Sequence, residues 1–438
     1  MSTAASTRPA PNPWWVATVS GMASYIDAAA IVSFGIVITI YAAVLGFTTT
    51  EVGIGSGALT LGIAVGAIFG GKLGDRFGRR PVFSITMVVI LIGIVLAVLA
   101  TSFPLFLVGA VLVGLGTGGD LPVSLSTISE AGTDANRGKL VSLSNILWLA
   151  GIIAAMVGGM TLGNLGRLGA QLLLGHLGVV AALVLIGRFT IPESPVWLAA
   201  QEERRSGVRT VRADKGSVRD LFGPRYRAPF LALIIFYALV NLAANTAGQF
   251  STYLLVNVAK VDVSAASSLG LIAIPIGLIG YLWFMRIADG THRFVYFTVG
   301  AALYVVAQLV PAIFGYTATT FLVSNIIGAF GTAFAFETIM KVWSQESFPT
   351  LLRTTAQGTI IAVARFSAAI LATLTPLLLQ AGVTVLYGFL AVVSAIGFLV
   401  AWIVFRTHDR INEFDTEDEI DRSLDIRVED PAAGPVAG

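Results

Sequence analysis

Five ionisable residues stand inside long apolar runs: Asp27, Asp120, Glu337, Lys341 and Arg365. A charge at the centre of a membrane helix costs about 2.5–3.5 kcal/mol on insertion scales, so each needs a task or a partner. Asp27 shares one helical stripe with Ser20 and Ser24. A carboxyl group in an apolar setting either cycles a proton or pairs permanently with a cation. Asp120, Ser124 and Thr127 make a second stripe of the same spacing, and Glu337 lies 217 residues beyond Asp120. Asp120 is open to two readings, a second proton site or part of a gate. Glu337 and Lys341 stand at i and i+4 in the order that favours a salt bridge. Arg365 does not deprotonate, so it must hold an anion. That anion is a solute carboxylate or an internal acid such as Asp27.

Amides form the second group. Asn241, Asn245 and Gln249 repeat at i, i+4 and i+8 on one face. Amides both donate and accept, which suits hydroxyl-rich solutes; the same groups also join helices to one another. Tyr25, Trp148, Asn325 and Trp343 are further candidates for lining a solute site.

The elements that carry these residues read as membrane helices. The chain has 438 residues, 56% of them hydrophobic and 12% charged. Twelve apolar runs are long enough to cross the ~30 Å hydrocarbon layer. They fall at about 16–42, 53–73, 81–101, 103–129, 139–162, 170–190, 229–256, 264–285, 294–314, 319–344, 355–379 and 383–405. Lipid offers no partner for exposed backbone groups, so an all-α membrane bundle of twelve transmembrane helices is expected. Residues 1–13 form a polar N-terminus, 191–228 a long central link and 406–438 an acidic tail. The links between odd and even spans hold only Arg167 and Lys260, whereas the other face carries nearly all remaining Lys and Arg. The positive-inside rule then places both termini in the cytoplasm, with a plasma (inner) membrane as the host.

Composition also excludes classes. The chain has no cysteine and three histidines, so thiolate chemistry and a histidine metal cluster are not expected. A net charge of +2 is too small to suggest nucleic-acid binding. GLGTGG at 114–119 matches a dinucleotide fingerprint, but it lies inside an apolar helix and reads as close helix packing, like Gly62, Gly66 and Gly70. Without a Walker motif, ATP-driven chemistry is unsupported. No enzyme, cofactor or metal is expected. Pro122, Pro275, Pro311 and Pro376 would free backbone groups and kink their helices.

Charges outside the spans reveal a repeat. Asp75 and Arg79 are four apart after the second span, and Asp289 and Arg293 are four apart after the eighth, 214 residues on. Glu130 and Arg137 are seven apart after the fourth span, and Glu346 and Arg353 are seven apart after the tenth, 216 residues on. Residues 14–190 and 229–405 therefore read as two copies of a six-helix unit. Parallel repeats of this kind place a solute site between them.

GKLGDRFGRR, 71–80, resembles the G-x-x-x-D-R-x-G-R-R loop of the major facilitator superfamily. IPESPVWL, 191–198, resembles the P-E-S-P-R-W-L signature of its sugar-porter-like branches, with Val196 where Arg is usual. SEAGTDANRG and QESFPTLLRT resemble the paired acid–arginine loops of those branches. ARFSAAILATLTP resembles a stretch of the organic-ion and aromatic-acid branches. The resemblance spans about residues 14–405 and implies two pseudo-symmetric six-helix bundles that rock about a central site. It implies that helices 1, 4, 7 and 10 line the cavity, that 2, 5, 8 and 11 flank it, and that 3, 6, 9 and 12 face lipid. It implies that Asp27 carries a coupling proton. It further implies that Asp75, Arg76, Arg79, Arg80, Glu130, Arg137, Glu193, Asp289, Arg293, Glu346 and Arg353 form an inner gate. The expected function is proton-coupled symport of a small polar solute, leaning to a sugar or polyol, by a monomer. An organic-anion symporter and an uncoupled facilitator are the alternatives.

Overall fold

A computed structural model of the chain describes residues 12–132, 137–194, 198, 218–287, 292–348 and 350–408. Arg137 and Arg353 fall within its helices, but their side chains, with those of Asp75 and Arg76, lie outside what it describes, as does Asp289 altogether. The acidic tail from 409 onward and residues 199–217 of the central link also lie outside it.

The first six spans are α1 (Pro13–Leu45), α2 (Thr49–Phe77), α3 (Arg79–Val98), α4 (Phe103–Ala131), α5 (Arg137–Leu162) and α6 (Arg167–Arg188). The seventh is α7 (Arg227–Asn257). The eighth is two pieces, α8 (Val263–Ile272) and α9 (Ile274–Ile287). The ninth is α10 (Arg293–Phe314), and the tenth is again two pieces, α11 (Ala318–Ala335) and α12 (Glu337–Glu346). The last are α13 (Thr350–Gln380) and α14 (Val383–His408). Twelve stretches of these helices are long and apolar enough to cross a membrane.

Local chemistry sets the ends. Thr48 and Glu51 close a reciprocal capping box at the start of α2, with the Thr48 N–H donating to Glu51 over 2.8 Å. Gly46 ends α1 at φ 74°, a left-handed conformation that favours glycine. Of the four expected proline kinks, only Pro275 sits at a break, between Ile272 and Ile274; Pro122, Pro311 and Pro376 lie inside continuous helices. The break at Phe336 has no proline.

Helix packing repeats between the lobes. In the first, α1 packs on α5 and α6, α2 on α4, and α3 on α4 and α6. In the second, α7 packs on α13 and α14, α9 on α11, and α10 on α11 and α14, which are the corresponding spans. The α2–α4 crossing depends on bare glycines. A Cβ on Gly66 would strike the Leu115 carbonyl, and one on Gly118 the Ile63 carbonyl. The GLGTGG segment is thus a packing surface.

Among the described residues, the helix pairs that pack most extensively between the lobes are α1 with α7, α2 with α13, and α5 with α8. Each meets toward the face of the odd-to-even links, named here the outer face. A Cβ on Gly53 would meet the Thr373 carbonyl at 2.5 Å, and one on Gly163 would lie 2.6 Å from a Val263 methyl. Asn164 donates to Asp262 over 2.9 Å across the same seam. The outer side is closed.

Candidate functional site

Asp27 sits midway along α1 and is almost wholly buried. Its Oδ2 stands 3.9 Å from a guanidinium nitrogen of Arg365 on α13 in the other lobe, and its Oδ1 has no hydrogen-bond partner. The Trp148 indole of α5 approaches the same carboxylate. Glu337, the first residue of α12, acts on it electrostatically against Arg365. Glu337 itself bonds Lys341 over 2.8 Å, as the i, i+4 spacing predicts. Those two side chains are 37% and 38% accessible although they sit within the helical bundle, so they open onto the space between the lobes. Arg365 is 20% accessible. The structure therefore gathers Asp27, Trp148, Glu337, Lys341 and Arg365 at one level.

Tyr237 of α7 belongs to this cluster. It is coupled electrostatically to Glu337, Arg365 and Asp27, and its ring stacks on Phe336 at 5.4 Å, against the break between α11 and α12. Sequence reasoning passed over it. Yet it stands four residues before Asn241, so it is the first rung of the same face.

The amide face is buried. Asn241, Asn245 and Gln249 are each under 9% exposed. Gln249 donates to the Thr60 hydroxyl of α2 in the other lobe and, over 3.5 Å, to Asn245. The Asn241 Oδ1 and Gln249 Oε1 acceptors have no partner. Buried amide oxygens are ordinarily satisfied, so these two and Asp27 Oδ1 are places where a solute's donors would fit.

Asp120 has a different setting. Arg188, at the end of α6, grips it with both guanidinium nitrogens, one bond being 2.7 Å, and also donates to Ser124 at 3.0 Å. Thr86 donates to the same carboxylate at 3.0 Å, and the Phe83 ring lies 4.4 Å from the guanidinium. A carboxylate so fully occupied is an anchor, and the geometry speaks against Asp120 as a second proton site. Arg188 was missed because it sits near the edge of a span, where a positive residue looks like an ordinary topology marker.

The remaining candidates separate. Tyr25 spends its hydroxyl on His176 of α6, 2.7 Å away. Trp343 is not a site residue: it is fully buried and stacks on Phe405 at 4.1 Å. Asn325 lies half-buried in the outer part of α11, roughly 16 Å along the axis from Phe336 at 1.5 Å per residue.

At the inner ends, charges pair across helices within each lobe. Arg79 of α3 bonds Glu130 of α4 over 3.0 Å. Arg293 of α10 grips Glu346 of α12 with two bonds of 2.8 and 2.7 Å. The repeated motifs thus make a repeated contact. Glu193 accepts from the backbone N–H groups of Arg79 and Arg80 at 2.8 and 3.2 Å, so it caps α3 from the P-E-S-P segment. A carboxylate at a helix N-terminus meets both the unpaired N–H groups and the positive dipole end. Arg80 reaches the Phe189 carbonyl at 3.4 Å.

Residues 14–213 match the family described as "Sugar (and other) transporter". The minor myo-inositol transporter IolF of Bacillus subtilis is 29% identical over 365 residues, which is 82% of this chain and 83% of that one. The chain is thus similar to sugar-porter-like transporters of the major facilitator superfamily. Both matches are to transporters rather than to enzymes. A niacin/nicotinamide transporter assigned to B. subtilis, NiaP, is 26% identical over 70% of this chain and 74% of its own. Among solved structures, the D-xylose–proton symporter superimposes with a TM-score of 0.74 at 19% identity, over 89% of this chain and 97% of that one. The xylose transporter XylE from E. coli in an inward-open form gives 0.71 at 18%, over 89% and 95%. These two likenesses bear on the fold, which is two six-helix bundles.

Proposed function

We propose that this transporter is a proton-coupled symporter for a hydroxyl-rich solute of the sugar or polyol kind, working by alternating access in a plasma membrane. The observation that carries this reading is the set of buried acceptors between the lobes, Asp27 Oδ1, Asn241 Oδ1 and Gln249 Oε1, which have no partner in the protein. Solute hydroxyls donate to the amides. Asp27 takes the proton, and its partner Arg365 belongs to the opposite lobe. Protonation therefore loosens a tie between lobes, which is how a proton changes the balance between states. The inner pairs Arg79–Glu130 and Arg293–Glu346 stiffen each lobe so that it moves as a body. Asp75, Arg76, Arg137, Asp289 and Arg353 complete the inner gate in this reading. The similarity to a myo-inositol transporter supports the polyol choice.

The second reading is an organic-anion symporter. Arg365 favours it, because the guanidinium is partly accessible and only loosely paired. The test is uptake of labelled myo-inositol and nicotinate into proteoliposomes with an inward proton gradient. Accumulation of inositol above its outside concentration, collapsed by a protonophore, is expected. Inositol flux that is only downhill and indifferent to the protonophore would establish the uncoupled facilitator instead.

A further inference from the structure

We infer that the hydroxyl-rich solute also carries one carboxylate, so that the transported class is the sugar acids: Arg365 binds the carboxylate and the amide face of α7 binds the hydroxyl groups. This rests on the transporter reading above and narrows its solute.

Charge is the first argument. Arg365 meets Asp27 at one long contact of 3.9 Å, whereas Arg188 and Arg293 each hold their acids with two short bonds. A guanidinium has five N–H donors in a fork that fits a carboxylate two bonds at a time. Most of those donors remain for a ligand. The charged groups of the cluster are Asp27 and Glu337 against Lys341 and Arg365, and Glu337 is already closed on Lys341. Tyr237 faces the cluster from α7, and His176 of α6 is held on Tyr25, two residues before Asp27. When Asp27 takes a proton, one positive charge is left over, and it sits on Arg365. A monoanion restores neutrality; a dianion overshoots it.

Hydroxyl recognition is the second argument. The free atoms at Asn241 and Gln249 are acceptors, so they need donors from the ligand. An aromatic or aliphatic acid without hydroxyls supplies none. A neutral polyol supplies them but leaves Arg365 as it stands. Distance links the two demands. Tyr237 marks the level of the charges on α7, and Asn241 follows one turn later, about 6 Å toward the outer face, with Asn245 about 6 Å beyond. A six-carbon acid anchored at Arg365 brings its hydroxyl-bearing carbons alongside Asn241.

The experiment is binding to the purified full chain at mildly acid pH, followed by tryptophan fluorescence, since Trp148 adjoins the site. The ligands are D-gluconate, D-glucose, myo-inositol, hexanoate and nicotinate. Gluconate is expected to bind at least about tenfold tighter than the neutral sugars and than hexanoate. Arg365→Gln should lower gluconate to the level of glucose, and Asn241→Ala should lower it to the level of hexanoate. Arg365→Lys keeps the charge and guards against a folding failure; it should weaken gluconate while the protein keeps its melting temperature. In proteoliposomes, gluconate uptake should follow the proton gradient and ignore a potential clamped with valinomycin, because one proton and one monoanion move together. If glucose or inositol binds as tightly as gluconate and Arg365→Gln alters neither, the sugar-acid class falls while the polyol transporter stands. Hexanoate or nicotinate binding as tightly as gluconate, or none of the five binding, would overturn both.

Discussion

Arg188 and Asp120 form a two-pronged ion pair between α6 and α4, with both side chains only 1% accessible. Neither charge is near water, so removing one partner strands the other. Breaking such a pair costs about 3–5 kcal/mol, whereas replacing both with apolar residues of similar volume is often neutral. Arg188→Leu should therefore lower thermal stability sharply in detergent. Asp120→Leu combined with Arg188→Met should restore most of it. Proton-driven uptake by that double variant would confirm that Asp120 anchors the lobe and does not carry the proton. Its loss in a protein of normal stability would return Asp120 to the proton path.

The same pair shows where sequence reading stopped. Helices follow from runs of apolar residues, and contacts within one helix follow from spacing, so Glu337–Lys341 was legible. The motif repeat was legible too, because two copies preserve offsets. The spacing within each motif, however, does not encode the contact that Arg79 makes with Glu130 on another helix, 51 residues away. Partners on different helices depend on how the helices cross, and no periodicity encodes that. Arg188 finding Asp120 is the same case. The break at Phe336 was also invisible, since neither proline nor glycine marks it. Tyr237 could have been found, as the i−4 neighbour of Asn241.

Asp27→Asn removes the proposed proton site while keeping a polar group of the same size. Proton-driven accumulation should fall to simple equilibration, an inside-to-outside ratio near one. Solute exchange across the membrane should persist, because the amide face is untouched. The measurement is counterflow alongside gradient-driven uptake in the same proteoliposomes. Gradient-driven accumulation surviving in Asp27→Asn would move the coupling proton to another group.

Gly66→Ala tests the glycine seam. Its new methyl would point at the Leu115 carbonyl, which is backbone and cannot step aside. Overpacking of a tight contact costs about 1–3 kcal/mol, so a clear fall in melting temperature is expected. Gly175→Ala is the control, since a Cβ there meets nothing within 4 Å. Equal melting temperatures for the two variants would mean that α2 and α4 do not cross this closely.

The outer seam gives the last test. Asp262 is exposed, and the Ala265 N–H and the Asn164 amide hold its carboxyl below the usual carboxylate range. A group with a depressed value stabilises the closed seam above its ordinary titration range, and that contribution is lost only as pH falls through the depressed value. Between pH 5 and 8 the seam should therefore be constant, and any pH dependence of transport in that window belongs to the intramembrane cluster. Asp262→Asn should leave the profile unchanged there; a shifted profile would place the pH sensor at the seam. The motion itself can be caught directly, because the chain has no cysteine of its own. A Cβ on Gly163 would lie 3.1 Å from the Val263 Cβ, slightly under the 3.5–4.5 Å usual for a disulfide. Gly163→Cys with Val263→Cys should cross-link under mild oxidant after a small adjustment. Cross-linking should abolish uptake, and a reductant should restore it, because the proposed alternating access has α5 and α8 part to admit solute from outside. Full uptake by the cross-linked protein would show that this contact never opens.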